Sequence, residues 1–219
     1  MKKQWKNWLA ALMLALPLSA NASGGGHYEH VDIDLGDQVS LQRGAQIFAN
    51  YCLSCHSASG MRYNRLQDLG LSEDEIRKNL MFTTDKVGNV MQAHMSPADA
   101  KKWFGAAPPD LTLIARSKGT DYLYAYLRGF YQDPTRPTGW NNVVFDKVGM
   151  PHALWEQQGI QAVKLDNKGM PIMKDDGHGG HVPDLYWVST GSMTRMTKSG
   201  NVVTTEYDNY ARDLVNFLS

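Results

Sequence analysis

Cysteine is nearly absent: the 219-residue chain has two, Cys52 and Cys55. An exported protein stapled by disulfides usually spreads more of them along its length. A bridge between such near neighbours would close a loop too small to constrain the unfolded chain. The pair is therefore read as local chemistry. An excess of positive charge is also missing, with 22 Lys+Arg against 22 Asp+Glu. That argues against a nucleic-acid binder, which needs cations to neutralise phosphates. No apolar run reaches the ~20 residues of a membrane-spanning helix, so a polytopic membrane protein is excluded. No phosphate-binding glycine loop, nucleophile elbow or zinc-protease motif occurs. What remains is 42% hydrophobic, 20% charged and 10% aromatic. Those values suit one globular domain, or two small ones, and exclude a disordered acidic tail or a coiled coil.

The even charge balance hides an asymmetry at the N-terminus. Met1–Lys6 carries three lysines and no acid, Trp8–Leu18 is a short apolar run, and Ala20-Asn21-Ala22 supplies small residues for cleavage. This reads as a secretory signal over residues 1–22, with an uncleaved short anchor as the alternative. Cleavage after Ala22 leaves 19 basic and 22 acidic residues. Ser23–Gly26 then forms a flexible lead-in.

Periodicity and capping place a helix over Leu41–Tyr51, with Gly44 inside it. Glycine there costs ~1 kcal/mol relative to alanine, which another helix packed close against it would justify. Ser72–Leu80 carries a capping box, Ser72 with Glu75. Ser96–Phe104 opens with proline in the first turn. Thr120–Tyr131 and Thr205–Leu218 complete the helices. Pro108-Pro109-Asp110 breaks the chain, Asp133–Val148 is irregular, and Gln161–Met173 is expected to form a small hairpin around Asn167-Lys168-Gly169. The expected fold is mainly α, with long connections and little strand.

Cys52-Leu53-Ser54-Cys55-His56 fits C-x-x-C-H, the attachment motif of a c-type haem. Two thiols add to the porphyrin vinyl groups, and the adjoining histidine reaches the iron. Attachment takes place outside the cytoplasm, in agreement with the signal. A thioredoxin-like pair would sit where a strand meets a helix. A zinc site would need further cysteines or well-spaced histidines. One motif means one covalent haem c. Its sixth ligand is open among His27, His30, His94, His152, His178, His181 and the methionines. Gly149-Met150-Pro151 suits a ligand loop: glycine allows close approach and proline stiffens the chain. Met170-Pro171 is a weaker echo, while Met61, Met81, Met91 and Met95 read as core or loop.

These residues resemble those of the cytochrome c1 family, the haem subunits of the cytochrome bc1 complex, in its bacterial form. The resemblance is carried by LQRGAQIFANYCLSCH (41–56), WFGAAPPDLTLIARSKGTDY (103–122), NNVVFDKVGMPHALWEQQG (141–159) and YDNYARDLVNFL (207–218). It implies a class I cytochrome c-like haem domain. Cys52 and Cys55 would hold the haem, His56 and Met150 would be the axial ligands, and Arg116, Lys118 and Tyr122 would lie near the propionates. It further implies an electron accepted from a Rieske iron–sulfur protein and passed to a soluble c-type cytochrome, with cytochrome b as a further partner. The place is the periplasmic face of the inner membrane. Such a subunit belongs to an oxidoreductase without making or breaking a substrate bond itself. Family members continue into a C-terminal transmembrane anchor, and no such segment is found in 23–219. Either the sequence is truncated and the anchor is missing from it, or attachment is expected through partners or an uncleaved N-terminus.

Two rival classes are a free periplasmic single-haem carrier and a haem-based sensor or peroxidase with an open sixth position. Asp175–His181 reads as a solvated glycine-rich loop before a metal site. Ser72–Glu75 reads as an acidic helix start suited to the helix dipole, ahead of a cytochrome docking patch. His27 and His30 are expected to be exposed.

Overall fold

The computed structural model describes residues 28–177 and 179–219. The signal at 1–22, the lead-in, His27 and His178 lie outside the described residues.

Helix α1 runs over Gln38–Ile47 and continues as a π turn through Phe48–Cys52. Asp37 caps it by accepting the Ser40 N–H at 3.0 Å, so the helix begins three residues before the spacing of apolar residues suggests. Helix α2 (Glu73–Asn79) carries the expected capping box, with Glu75 also accepting the Ser72 N–H. Helix α3 is Pro97–Phe104, α4 is Ile114–Lys118 and α5 is Thr120–Arg128. A single turn, α6, follows at Trp155–Gln158, and α7 (Thr205–Leu218) closes the chain.

Helices α1 and α7 cross at Gly44. A Cβ there would stand 2.5 Å from Phe217 Cβ and closer still to the Asp213 carbonyl oxygen. The missing side chain is what permits the crossing. Around it Ser40 Oγ donates to Asp213 at 2.7 Å, and Asn216 Nδ2 donates to Ser40 Oγ at 3.0 Å. Arg43 offsets the buried Asp213 charge from the solvent side. The main core gathers Ala45, Ile47, Phe48, Leu53, Tyr63, Leu66, Ile76, Met91 and Leu214. A smaller one joins Val31, Ala115, Leu123, Tyr124, Ala211 and Val215.

The expectation of a mainly α fold is wrong. Of the described residues 36% are helical and 19% lie in strands. A four-stranded sheet has the order β4-β3-β5-β8, from Trp140–Asn142, Phe130–Gln132, Gly159–Val163 and Leu185–Thr190. The β3–β5 pair is parallel, and the others are antiparallel. Two-stranded pieces pair β1 (Ala58–Arg62) with β2 (Val90–Met91), β6 (Met173–Asp175) with β7 (His181–Pro183), and β9 (Arg195–Met196) with β10 (Val202–Val203). These strands are two to six residues long and mostly half-exposed, too short to establish an alternation.

Gly129 explains one error. The helix read as Thr120–Tyr131 stops at Arg128, and Phe130–Gln132 turns into the sheet. A Cβ on Gly129 would meet Val143 Cγ2 at 2.8 Å, so the chain must bend where nothing protrudes. The turn at Asn167-Lys168-Gly169 forms, with Gly169 at φ +77° and a lone bridge between Leu165 and Pro171. Its flanks pair chiefly elsewhere, β5 with β8 and β6 with β7.

Candidate haem site

The π turn ends α1 so that the next residues coil tightly. Cys55 N–H and His56 N–H both donate to the Cys52 carbonyl, at 3.0 and 2.8 Å. Cys52, Cys55 and His56 thereby come to one wall of an apolar cavity of about 350 Å³. Both cysteines are free thiols. Burial pushes the Cys52 thiol up to about 12, with a smaller push from Cys55, so it stays protonated.

The Pro-Pro-Asp break has a structural task. Asp110 accepts from the backbone N–H groups of Ser59 and Thr112, at 2.9 and 2.8 Å, and Leu111 N–H donates to the Ser57 carbonyl at 2.8 Å. These bonds bring the Pro109 carbonyl to 2.8 Å from His56 Nδ1. A carbonyl only accepts, so Nδ1 carries the proton and Nε2 keeps its lone pair. Burial pushes the His56 pKa down, against the Pro109 contact and the Asp110 charge, and the ring is neutral. Desolvation pushes the Asp110 carboxyl up, but its hydrogen bonds with Thr112 and Ser59 prevail and hold it at about 2.

Met150 lies on the cavity wall in a loop braced from behind. A Cβ on Gly149 would lie 2.6 Å from the Phe104 carbonyl oxygen, so glycine is required for that approach. Lys147 adopts the left-handed conformation at φ 59°. It is pinned there by Asn141 Oδ1 on its N–H, at 2.8 Å, and by Arg136 on its carbonyl, at 2.9 Å. His152 is buried, stacked flat on Phe130 at 4.7 Å and met edge-on by Trp140 at 5.2 Å. Burial lowers its pKa to about 4, with nearby Gln158 acting the other way.

Met170, the weaker alternative, is 60% exposed and away from the cavity. Lys118 and Tyr122 line the wall, the ammonium 5.7 Å from the Tyr122 ring centre. Arg116 is exposed and off the wall. His30, His94 and His181 are exposed. Among the described residues, no group of three or more His, Cys, Asp or Glu side chains gathers to hold a metal ion. The acids of α2 are engaged, Glu73 with Arg77 and Asp74 with Lys78.

Sequence reasoning missed Tyr126. Its hydroxyl donates to Met150 Sδ at 3.4 Å, and its ring stacks on Tyr122 at 6.0 Å. The i, i+4 spacing of Tyr122 and Tyr126 was the available signal. The Pro109 carbonyl and the apolar wall of Leu111, Ile114, Leu123, Leu127, Val148 and Leu214 were also unforeseen. The fit to a haem is chemical: paired thiols, a neutral imidazole with a free nitrogen and a thioether line one apolar space.

Comparisons with known proteins agree with this. The model of the cytochrome C1 family matches residues 31–163. Cytochrome c1 of Allochromatium vinosum is 45% identical over 213 residues, covering 96% of this chain and 82% of that one. A protein of Nitrosomonas europaea named as an ammonia monooxygenase gamma subunit is 43% identical, with 96% and 80% covered. The mitochondrial cytochrome c1 of Schizosaccharomyces pombe is 26% identical over 194 residues, 77% of this chain and 62% of that one. Membership of a complex subunit family favours that role over a free carrier. Among the described residues no helix is long and apolar enough to cross a membrane. The chain belongs to the cytochrome c1 family, the haem c-bearing electron-transfer subunits of the membrane-associated cytochrome bc1 complex.

Proposed function

We propose that Cys52 and Cys55 hold haem c by thioethers, with His56 as proximal and Met150 as distal ligand. The observation that carries this is one apolar cavity lined both by the C-x-x-C-H turn and by Met150, distant in sequence. Bound there, the haem supplies a one-electron couple. The residues of this chain do the rest. The Pro109 carbonyl orients the imidazole through Nδ1 and raises its basicity. Tyr126 holds the thioether by its hydroxyl. Apolar side chains exclude water and so limit the reorganisation that accompanies a change of charge. Lys118 and Tyr122 supply a cation and a hydroxyl for the propionates.

In this reading the chain sits at the periplasmic face of the inner membrane, beside cytochrome b. It takes one electron from a Rieske iron–sulfur protein and hands it to a soluble c-type cytochrome. The axial assignment is tested by the weak near-infrared sulfur-to-iron band of the oxidised protein. Met150→Leu abolishes it and Met170→Leu leaves it intact. The reverse pattern, or haem released by acid–acetone extraction, refutes the proposal.

A further inference from the structure

We infer that Gln157 is a positioning residue: by its bond to Tyr51 it latches the loop that carries Met150 to the turn that carries the C-x-x-C-H motif, and so keeps the thioether in place as distal ligand. The inference rests on the haem reading above and adds what holds the two halves of the site together. Gln157 does not line the cavity itself and acts through Tyr51, which does.

The bond joins distant parts of the chain. Gln157 Nε2 donates to the Tyr51 hydroxyl oxygen at 2.7 Å, between residues 106 apart in sequence. Tyr51 lies in the π turn that ends α1, immediately before Cys52. Among the described residues this is the one hydrogen bond between the stretch 149–158 and α1 with its π turn. On the acceptor side the Tyr51 ring is met edge-on by Tyr210 of α7, with centroids 6.4 Å apart, which fixes the place of the hydroxyl.

The donor stands on a rigid base. Gln157 is buried. The carbonyls of Glu156 and Gln157 accept the N–H groups of Ser192 and Met193, at 2.8 and 3.0 Å, and the Gln158 carbonyl accepts the Thr194 hydroxyl at 2.8 Å. Gly191 lets this turn close on α6, since a Cβ there would stand 2.4 Å from the Gln157 carbonyl oxygen. The turn that follows β8 thus grips α6 along its backbone. Between α6 and Met150 lie Pro151, whose ring fixes its φ, and the buried His152 and Leu154. A restraint at Gln157 therefore passes back to Met150.

Chemistry supplies the need for such a restraint. A thioether suits ferrous iron better than ferric. In the oxidised protein the placing of the loop then decides whether Met150 stays. The Tyr126 hydroxyl meets Met150 Sδ, and Gly149 packs on the Phe104 carbonyl, but these contacts tie the loop to α5 and α3. Neither ties it to the turn that carries His56. The Gln157 amide does, through Tyr51.

The test titrates the oxidised, haem-loaded protein with imidazole, which competes with Met150 for the iron, and follows the loss of the near-infrared band. Without imidazole the band persists in Gln157→Leu and in Tyr51→Phe. Loss of one hydrogen bond raises the population with Met150 displaced, so imidazole binds about three- to tenfold tighter in each. The double variant shows the same gain as either single one, because both remove one bond, whereas two independent loosenings would add. Glu156→Gln, at an exposed neighbour, leaves the affinity unchanged. Leucine at 157 also removes the buried Oε1, which has no protein partner, so the fold is little disturbed. Tyr51→Phe removes a single oxygen and keeps the ring, and it carries the test if Gln157→Leu takes up no haem. An affinity equal to wild type in either folded variant, or gains that add in the double variant, overturn the inference. If the wild type itself lacks the band, the haem reading fails and the latch with it. If the wild type has the band and imidazole binding is unmoved in the variants, the latch alone fails.

Discussion

Replacing Gly44 by alanine tests the packing that positions the haem motif. In an isolated helix the change would help, by ~1 kcal/mol of propensity. In this protein the new Cβ would stand 2.5 Å from Phe217 Cβ, 2.9 Å from the Asp213 carbonyl carbon and closer still to its oxygen. Ordinary carbon–carbon contact is about 3.5–4.0 Å, so α1 and α7 must separate by about 1 Å. Side-chain rotation cannot relieve this, because the nearest atom is backbone. Separation stretches the buried Ser40–Asp213 and Asn216–Ser40 hydrogen bonds and opens the Phe48–Phe217 ring contact at 5.7 Å. Overpacking of this kind costs ~1–3 kcal/mol, and each weakened buried hydrogen bond about 1 kcal/mol. The loss outweighs the propensity gain, for a net destabilisation of about 2 kcal/mol. For a domain of this size each kcal/mol lowers Tm by about 2–4 °C. The expected fall is therefore ~4–8 °C, read by circular dichroism on the haem-loaded protein. Gln46→Ala, on the exposed side of α1, is the control and changes little. Phe217→Ala added to Gly44→Ala rescues only in part, since the carbonyl stays. A Tm for Gly44→Ala equal to or above wild type would refute the reasoning.

Tyr126→Phe removes the hydroxyl whose positive end points at Met150 Sδ and disfavours the extra charge of ferric iron. The midpoint potential should fall by about 20–40 mV, on a differential of ~0.5–1 kcal/mol with 59 mV per tenfold for one electron; an unchanged or raised potential contradicts the contact. Asp110 is held at about 2, below its ordinary 3.8, so its contribution is full above the unfolded value and lost as pH falls from about 4 towards 2. The Tm gap between wild type and Asp110→Asn should therefore close across that window, and a gap constant with pH would show that the carboxylate does not anchor the loop.

Local spacing alone determined much of this protein. C-x-x-C-H needs only adjacent residues to imply its chemistry, and Ser72 with Glu75 caps a helix whatever lies nearby. Gly44 announced a close helix approach because glycine in a helix interior needs a reason, and Gly149-Met150-Pro151 marked a stiff loop that lies on the cavity wall. Tertiary structure decided the rest. The strands of the sheet are short and half-exposed, and β3 pairs with β5 across the intervening β4 and α6, so no periodicity foretold them. Tyr126 looked like one more aromatic on a helix until the loop carrying Met150 folded over it. Arg116 shared the basic turn of Lys118 in sequence, yet the rotation of a short helix put one on the cavity wall and left the other in solvent. Patterns repeat along the chain where neighbours in sequence are neighbours in space. Partners brought together by packing leave no such pattern, because their identity depends on the path of the whole chain.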